Sequence, residues 1–462
     1  MIRIFNIYVP GAFFVLGIVD IILLFASISI GFVLSYAGIQ TVLEESPESF
    51  IQKANFVFVS VICLFTMGLY HRQFIFDIKE AALRVIVSFV FSFIVLSILF
   101  YIFQPTRIWV SALLPGIFIA ICSIFAARLI FLRVADLNAF KRRVLVMGAG
   151  PQAQRVEDVE RKFRPARFAC VGFVQTDLCA VCVDEKKVFK KINDLAALCE
   201  RLSVEEIVLA LEERRGNLPM DTLLACRLKG IRVLNLSTFC ERELGQVELE
   251  ALYPSWLIFS DGGMRGRIER GAKRLFDIIV SLSLLLFTLP VTALAILAIL
   301  IEDGRPIFYR QERVGLNGQG FFALKFRSMR VDAEKDGIPR WAAINDSRVT
   351  RVGAIIRKMR VDEIPQIYNV LRGEMSFVGP RPERPSIVAD LTREIPFYQY
   401  RHVVKPGITG WAQINYPYGA SIKDAQEKLK FDLYYVKNYS LVIDLLILIQ
   451  TIRVILWPQG AR

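Results

Sequence analysis

The residues best suited to chemistry lie in the last third of the chain. Asp362-Glu363 is a paired carboxylate preceded by Arg357-Lys-Met-Arg360 and followed by Ile-Pro365-Gln366. Gly379-Pro380-Arg381-Pro382-Glu383 and Lys325-Phe-Arg327-Ser-Met329 flank it in sequence, with Lys405-Pro406-Gly407 further on. Arginines and lysines among glycines and prolines suit a ligand carrying several phosphates. A guanidinium grips phosphate oxygens in pairs, and the prolines and glycines fix loops against the ligand. Arg381, locked between two prolines, is a stiff cation fitted to a phosphate or to a structural salt bridge. Asp362 has two compatible readings. It caps a helix expected over 363–371, where Ile364, Ile367, Tyr368 and Leu371 recur at helical spacing. It also stays ionised at that helix N-terminus, free to hold Mg²⁺ or attack phosphorus.

Other chemistries are poorly supplied. Two histidines, His71 and His402, leave little for a zinc site or a catalytic triad. No cysteine follows Cys240, so the C-terminal part has neither a disulfide nor a thiol nucleophile. Cys179-Ala-Val-Cys182 is a lone pair without a second pair at zinc-ribbon spacing, and reads as ordinary thiols. The net charge is +13, and most of the excess lies beyond Arg270. It suits anionic membranes or phosphates. No groove-reading motif supports nucleic acid.

The elements that must carry these groups begin in a membrane. Hydrophobic residues make up 54% of the 462, and mean hydropathy is +0.44. Apolar runs at 11–37, 55–70, 83–103 and 109–132 predict a four-helix transmembrane bundle over 1–137. Glu44, Glu45 and Glu48 follow the first run, Arg72, Lys79 and Arg84 the second, and Arg128, Arg133 and Lys141-Arg-Arg143 close the fourth. Both ends of the bundle are therefore expected in the cytoplasm. Asp20, alone in the first run, is either a pathway residue or a contact with a neighbouring helix.

Residues 138–255 alternate strand and helix, as in an α/β Rossmann-like doubly wound domain. Gly148-Ala-Gly150-Pro-Gln-Ala153 stands at its first strand-to-helix turn, where Gly148 and Gly150 would let a pyrophosphate approach. The acidic residue of that fingerprint is missing, since Gln175 holds its place with Asp177 two further on. Nucleotide sensing and a purely architectural role both remain open. A polar linker, 256–272, leads to an α-rich α/β monotopic domain, 273–462. Its first apolar run, 278–301, has no charge, Pro290 near its middle and basic residues on both flanks. The expectation is a proline-broken re-entrant hairpin at 275–301 that returns on the same face. Leu441–Leu456 is expected to lie in the membrane interface, with a core helix as the alternative.

Taken together, residues 273–457 resemble the bacterial sugar transferase family, the polyprenyl-phosphate hexose-1-phosphate transferases. The resemblance rests on Lys273-Arg274-Leu-Phe-Asp277, the proline-broken run, Lys325-Phe-Arg327-Ser-Met329, Asp362-Glu363-Ile-Pro365-Gln366 and Gly379-Pro380-Arg381-Pro382-Glu383. The whole chain is similar to the long form of that family. Val361 departs from the usual Leu and leaves the dyad intact. The resemblance implies that Asp362 attacks the sugar-bearing phosphate of a UDP-sugar, expels UMP, and passes the phosphosugar to polyprenyl (undecaprenyl) phosphate. It implies Mg²⁺ on Asp362, Glu363 as metal partner or base, and Arg357, Arg381, Lys325 and Arg327 around the phosphates. It further implies a homodimer among membrane lipids of the bacterial inner membrane, with the catalytic domain on the cytoplasmic face. A membrane-anchored nucleotide-sugar dehydratase would need a Tyr-x-x-x-Lys pair, which occurs nowhere in the chain. A non-catalytic nucleotide sensor or scaffold would leave Asp362 dispensable.

Overall fold

The computed structural model describes residues 2–4, 7–9, 11–35, 47–70, 78–104, 107–134, 141–162, 168–175, 181–190, 194–211, 219–249, 266–330, 348–417, 419 and 421–456. His71, Glu44, Glu45, Arg72, Asp177, Cys179 and the linker up to residue 265 lie outside them. The chain forms two compact units, Met1–Phe239 and Cys240–Arg462.

The first unit opens with a hairpin of β1 (Ile2–Ile4) and β2 (Ile7–Val9). Four apolar helices follow, α1 (Gly11–Ser35), α2 (Pro47–Thr66), α3 (Ile78–Ile102) and α4 (Val110–Val134). The second begins earlier than its apolar run because its first turns carry polar residues, Gln52 and Lys53 among them. α1 meets α4 backbone to backbone: a Cβ on Gly31 would lie 2.5 Å from the Ala112 carbonyl oxygen. Asp20 accepts hydrogen bonds from Arg128 Nη2 and the Tyr70 hydroxyl, each at 2.6 Å. It is thus a tie between helices.

The same unit holds a parallel sheet of β3 (Arg142–Met147), β4 (Phe168–Val174), β5 (Val188–Phe189), β6 (Glu206–Leu209) and β7 (Arg232–Asn235), in the order β5-β4-β3-β6-β7. Gly148 follows β3 with φ +119°, and a Cβ there would sit 2.3 Å from the Ala210 carbonyl oxygen. Glycine is required by that backbone approach, without any ligand. The Gly150 carbonyl accepts from Ala153 and Gln154 N–H and starts α5 (Pro151–Lys162). The remaining helices are α6 (Leu195–Arg201), α7 (Met220–Leu228) and α8 (Leu236–Leu244), whose last residues belong to the second unit.

The second unit is organised by α9 (Arg267–Asp303), which starts inside the stretch read as linker. The expected break into two half-helices is not seen: α9 is one helical element with Pro290 inside it, which leaves room for a bend at the proline. Proline removes one backbone donor, and the flanking turns keep helical geometry around the gap. Lys273, Asp277 and Ser281 are buried near its start and Ala295 and Ile299 near its end, whereas Leu286 (71%) and Phe287 (69%) between them are exposed. At the start, Lys273 pairs with Asp277 and Asp444 at 3.3 and 2.8 Å, and Asp277 accepts from Ser376 Oγ and Phe377 N–H. At the end, Ala295 and Ile299 pack with Phe326, Ile356 and Val361. Together, α1 to α4 and α9 are five helices long and apolar enough to cross a membrane, and the chain is a multi-pass membrane protein.

The rest of the unit surrounds α9. β8 (Phe308–Val314) and β9 (Gly320–Phe326) form an antiparallel hairpin. Next come α10 (Arg351–Lys358), α11 (Gln366–Arg372), β10 (Ser376–Val378), α12 (Pro385–Glu394), β11 (Gly407–Thr409), α13 (Trp411–Asn415), α14 (Ile422–Asn438) and α15 (Leu441–Leu456). β10 and β11 are parallel, and a Cβ on Gly407 would fall 2.1 Å from Gly379 N. α15 buries Ile443 and Ile447 against Phe377, Val404 and Tyr435, so one face is core and only the opposite one, with Leu445 and Ile452, is exposed.

Candidate active site

Asp362 lies in a 3-10 turn, Val361–Glu363, entered through Arg360 in the left-handed region at φ 58°. α11 starts only at Gln366, after Pro365. The expectation that Asp362 caps this helix is therefore corrected. Proline, which fits the start of a helix because it has no N–H to satisfy, sets the boundary three residues later. Asp362 is buried, lines a cleft of about 410 Å³, and accepts no hydrogen bond among the described residues.

The same cleft is lined by Lys325 from β9, Arg357 from the end of α10, and Arg381 from the loop after β10. Glu363 holds two of these cations. Its Oε1 accepts from Arg381 Nη2 at 2.7 Å and Lys325 Nζ at 2.9 Å, and its Oε2 faces Arg360 at 3.5 Å. Both carboxylate oxygens are thus occupied by cations.

The two carboxylates titrate in opposite directions. Burial raises the Asp362 pKa, and the Glu363 charge adds to it. Lys325, Arg357 and Arg381 oppose the rise without cancelling it. The low pKa expected from a helix N-terminus is not found, because no helix starts there. Burial also pushes Glu363 up, but Arg381, Lys325 and Arg360 outweigh it and hold that carboxyl well below its ordinary range. Lys325 is lowered by burial despite Glu363, so its ammonium gives up a proton more readily than a free lysine.

Arg327 stands near the site, as expected, and also has a structural partner. It lines the cleft, but its Nη2 donates to the Asp303 and Gly304 carbonyls, each at 2.9 Å, and pairs with the Asp303 carboxylate at 3.1 Å. A cation at the end of α9 satisfies carbonyls that have no intrahelical partner. Pro290 stands in the exposed apolar stretch of α9, and Gly148 and Gly150 belong to the first unit.

Sequence reasoning missed the support behind Arg381. Arg401, buried, donates from Nη2 to the Arg381 carbonyl at 2.8 Å and from Nη1 to the Tyr398 hydroxyl at 2.6 Å, and pairs with Asp432 at 2.8 Å. Arg313 donates to the Pro382 carbonyl at 3.0 Å. One signal was available: Asp432 stands between Phe431 and Leu433 on the buried face of α14, where a charge needs a partner. A larger cavity, about 600 Å³ and lined by Arg310, Phe322 and Asn369, holds no carboxylate pair. The Asn369 side chain there is engaged by Leu324 N–H, the Phe322 carbonyl and Glu374.

A buried carboxylate among cations, on a unit built around an apolar helix, suits a phosphate-bearing ligand at a membrane. Residues 268–458 match the bacterial sugar transferase family model. A UDP-glucose:undecaprenyl-phosphate glucose-1-phosphate transferase of Klebsiella pneumoniae is 31% identical over 360 residues, covering 76% of this chain and 75% of that protein. One of the same name from Xanthomonas campestris pv. campestris is 29% identical, over 75% and 74% of the two chains. A UDP-N-acetylgalactosamine-undecaprenyl-phosphate N-acetylgalactosaminephosphotransferase of Aeromonas hydrophila is 42% identical over 241 residues, and the match spans 52% of this chain and 56% of that protein. The chain belongs to the bacterial sugar transferase family.

Proposed function

We propose that this chain transfers a sugar 1-phosphate from a UDP-sugar to undecaprenyl phosphate through a phosphosugar held on Asp362. One observation carries the reading. Of two adjacent carboxylates, one is engaged by three cations and the other faces the cleft with no hydrogen-bonding partner among the described residues. An Asp362 oxygen attacks the sugar-bearing phosphorus, the bond from that phosphorus to the bridging oxygen breaks, and UMP leaves with the electron pair. An oxygen of the acceptor phosphate then attacks the same phosphorus, the bond to Asp362 breaks, and the carboxylate is regenerated. Neither step requires a proton. A base is therefore unnecessary, and Glu363 serves by holding Arg381 and Lys325 in place.

Among the described residues no group of three or more His, Cys, Asp or Glu is placed to hold a metal ion, so a divalent cation here would depend on Asp362 together with substrate phosphate oxygens. Mg²⁺ ordinarily takes one or two carboxylates together with substrate phosphate oxygens, so Asp362 would be its ligand from the protein. When bound, it offsets the charge of the diphosphate. Arg357, Lys325 and Arg381 orient the phosphates around Asp362.

The bacterial inner membrane and its cytoplasmic face follow from the same reading. Both ends of α9 pack on one compact unit, through Asp277 with Ser376 and Ile299 with Phe326, while its apolar middle is exposed. That arrangement favours a helix that dips in and returns over one that crosses. UMP release from purified full-length protein, measured across a panel of UDP-hexoses, tests the function. Wild-type release from at least one donor, abolished in Asp362→Asn, is the expected result. Equal release from both proteins would assign the chemistry to another residue.

A further inference from the structure

The start of α9 carries cations that the reaction at Asp362 does not use. Arg267, Arg270 and Arg274 recur at three- and four-residue spacing and share one helix face. Arg267 and Arg270 are exposed and make no hydrogen bond or ion pair among the described residues. Arg274 is half-buried and held in place. Its Nη1 and Nη2 donate to the Val370 and Leu371 carbonyls at the end of α11. These bonds take two of the five N–H groups of a guanidinium and fix its plane.

Lys405, from the loop before β11, comes to the same place. A Cβ on Gly373, the left-handed residue that ends α11, would lie 3.6 Å from Lys405 Nζ and 3.7 Å from Arg274 Nη2. The two cations therefore flank the space that a side chain would fill. Lys405 makes no hydrogen bond or ion pair among the described residues, and burial, with the Arg274 charge second, lowers its pKa. Asp277, whose charge acts on Lys405, is already engaged by Lys273, the Ser376 hydroxyl and the Phe377 N–H. Arg372, the last residue of α11, stands over the Tyr368 ring at 4.7 Å, and both are exposed. Like charges gathered this closely attract an anion from outside the chain.

The surroundings indicate the class of anion. Neither Lys405 nor Arg274 lines the cleft of Asp362. Leu275 and Ile279, next along α9, are exposed and open its apolar stretch, and Val403 is exposed two residues before Lys405. Cations at the end of an exposed apolar helix stand at the level of lipid headgroups, where tyrosine rings are also favoured. A phosphodiester suits an arginine–lysine pair, because the guanidinium can grip two of its oxygens together.

We propose that Lys405 and Arg274 bind the phosphate of an anionic phospholipid headgroup, with Arg270 and Arg372 at its rim. The bound lipid ties the start of α9 to the end of α11 and to the loop before β11 at the membrane surface. The site is separate from the chemistry at Asp362 and independent of the sugar transferred.

Native mass spectrometry of full-length, detergent-purified protein tests the site. The protein is titrated with dioleoyl phosphatidylglycerol, and with zwitterionic dioleoyl phosphatidylcholine as the reference. Wild type is expected to hold one phosphatidylglycerol about tenfold more tightly than phosphatidylcholine. Lys405→Gln should weaken that lipid about tenfold. Arg270→Gln, at an exposed position where folding is not at stake, should weaken it about fivefold. Lys405→Arg keeps the charge and should stay within about threefold of wild type. Arg393→Gln removes an exposed cation of α12 instead and should change nothing. No preference for phosphatidylglycerol in wild type, or equal affinity in wild type and Lys405→Gln, overturns the proposal. An equal loss in Arg393→Gln also overturns it, by reducing the effect to net charge. Displacement of the lipid by inorganic phosphate would make this a site for a free anion. Undecaprenyl phosphate binding more tightly than phosphatidylglycerol, and lost in Lys405→Gln, would hand the site to the acceptor. Either result would likewise refute a phospholipid site.

Discussion

Glu363→Gln separates two roles for the second carboxylate. Arg381 and Lys325 share Oε1 at 2.7 and 2.9 Å, and Arg360 faces Oε2 at 3.5 Å. A hydrogen bond to a charged acceptor contributes about 1.5–3 kcal/mol. The glutamine carbonyl keeps a weaker acceptor for Arg381 and Lys325, but its amide turns an N–H toward Arg360. A net loss of about 2–3 kcal/mol follows. If Glu363 acts by positioning those cations, kcat/KM falls about 30- to 150-fold. The pH profile carries a second signature. The Glu363 charge raises the pKa of both Asp362 and Lys325, so its removal moves both limbs to lower pH. A general base would instead lose its acid limb. Steady-state UMP release from pH 5 to 10 reads both effects. A variant within twofold of wild type with unmoved limbs would refute the positioning argument.

Asp362→Asn should be inactive yet no less stable than wild type. The folded protein raises the Asp362 pKa, so the ionised carboxylate opposes folding at pH values above that pKa. A thermal midpoint in Asp362→Asn equal to or above wild type at pH 7.5 is expected, and a drop of several degrees would contradict it. In wild type, the acid limb of kcat/KM should lie above the ordinary aspartate value of about 3.9, because the attacking group must first ionise. Arg327→Met removes two bonds to the end of α9 and should cost about 2–4 kcal/mol of stability, seen as a lower unfolding midpoint. The donor KM of the folded fraction should not change; a KM rise without destabilisation would return Arg327 to the phosphates. Gly407→Ala drives a methyl into the Gly379 backbone, costs about 3 kcal/mol, and displaces Arg381, so both stability and kcat should fall.

Much of the site was legible because its residues announce their chemistry. Lys325, Arg357, Asp362 and Arg381 are spread over more than fifty positions, yet all line one cleft. The apolar helices were legible for a related reason, since long uncharged runs have few alternatives. What was hidden depends on geometry that sequence spacing does not encode. Helical periodicity at 363–371 suggested a cap at Asp362, but Pro365 decided where the helix begins. Arg327 shares a motif with Lys325 two residues away, and strand alternation would put both on one face, but β9 ends at Phe326 and the chain has left the strand at Arg327. The former meets the end of α9 while the latter reaches Glu363. Arg401 and Asp432, 31 positions apart, meet only in the folded unit. Val247 and Leu249 follow the parallel α/β sheet in sequence but pack with the second unit.

The central claim is that Asp362 carries the phosphosugar between the two substrates. Intact-protein mass spectrometry after mixing with the UDP-sugar donor, quenched without undecaprenyl phosphate, tests it directly. The account predicts a gain of one phosphohexosyl group in wild type, mapped to Asp362, discharged by undecaprenyl phosphate and absent from Asp362→Asn. UMP release that begins only when the acceptor is added, with no adduct at any time, would contradict it and point to direct transfer in a ternary complex.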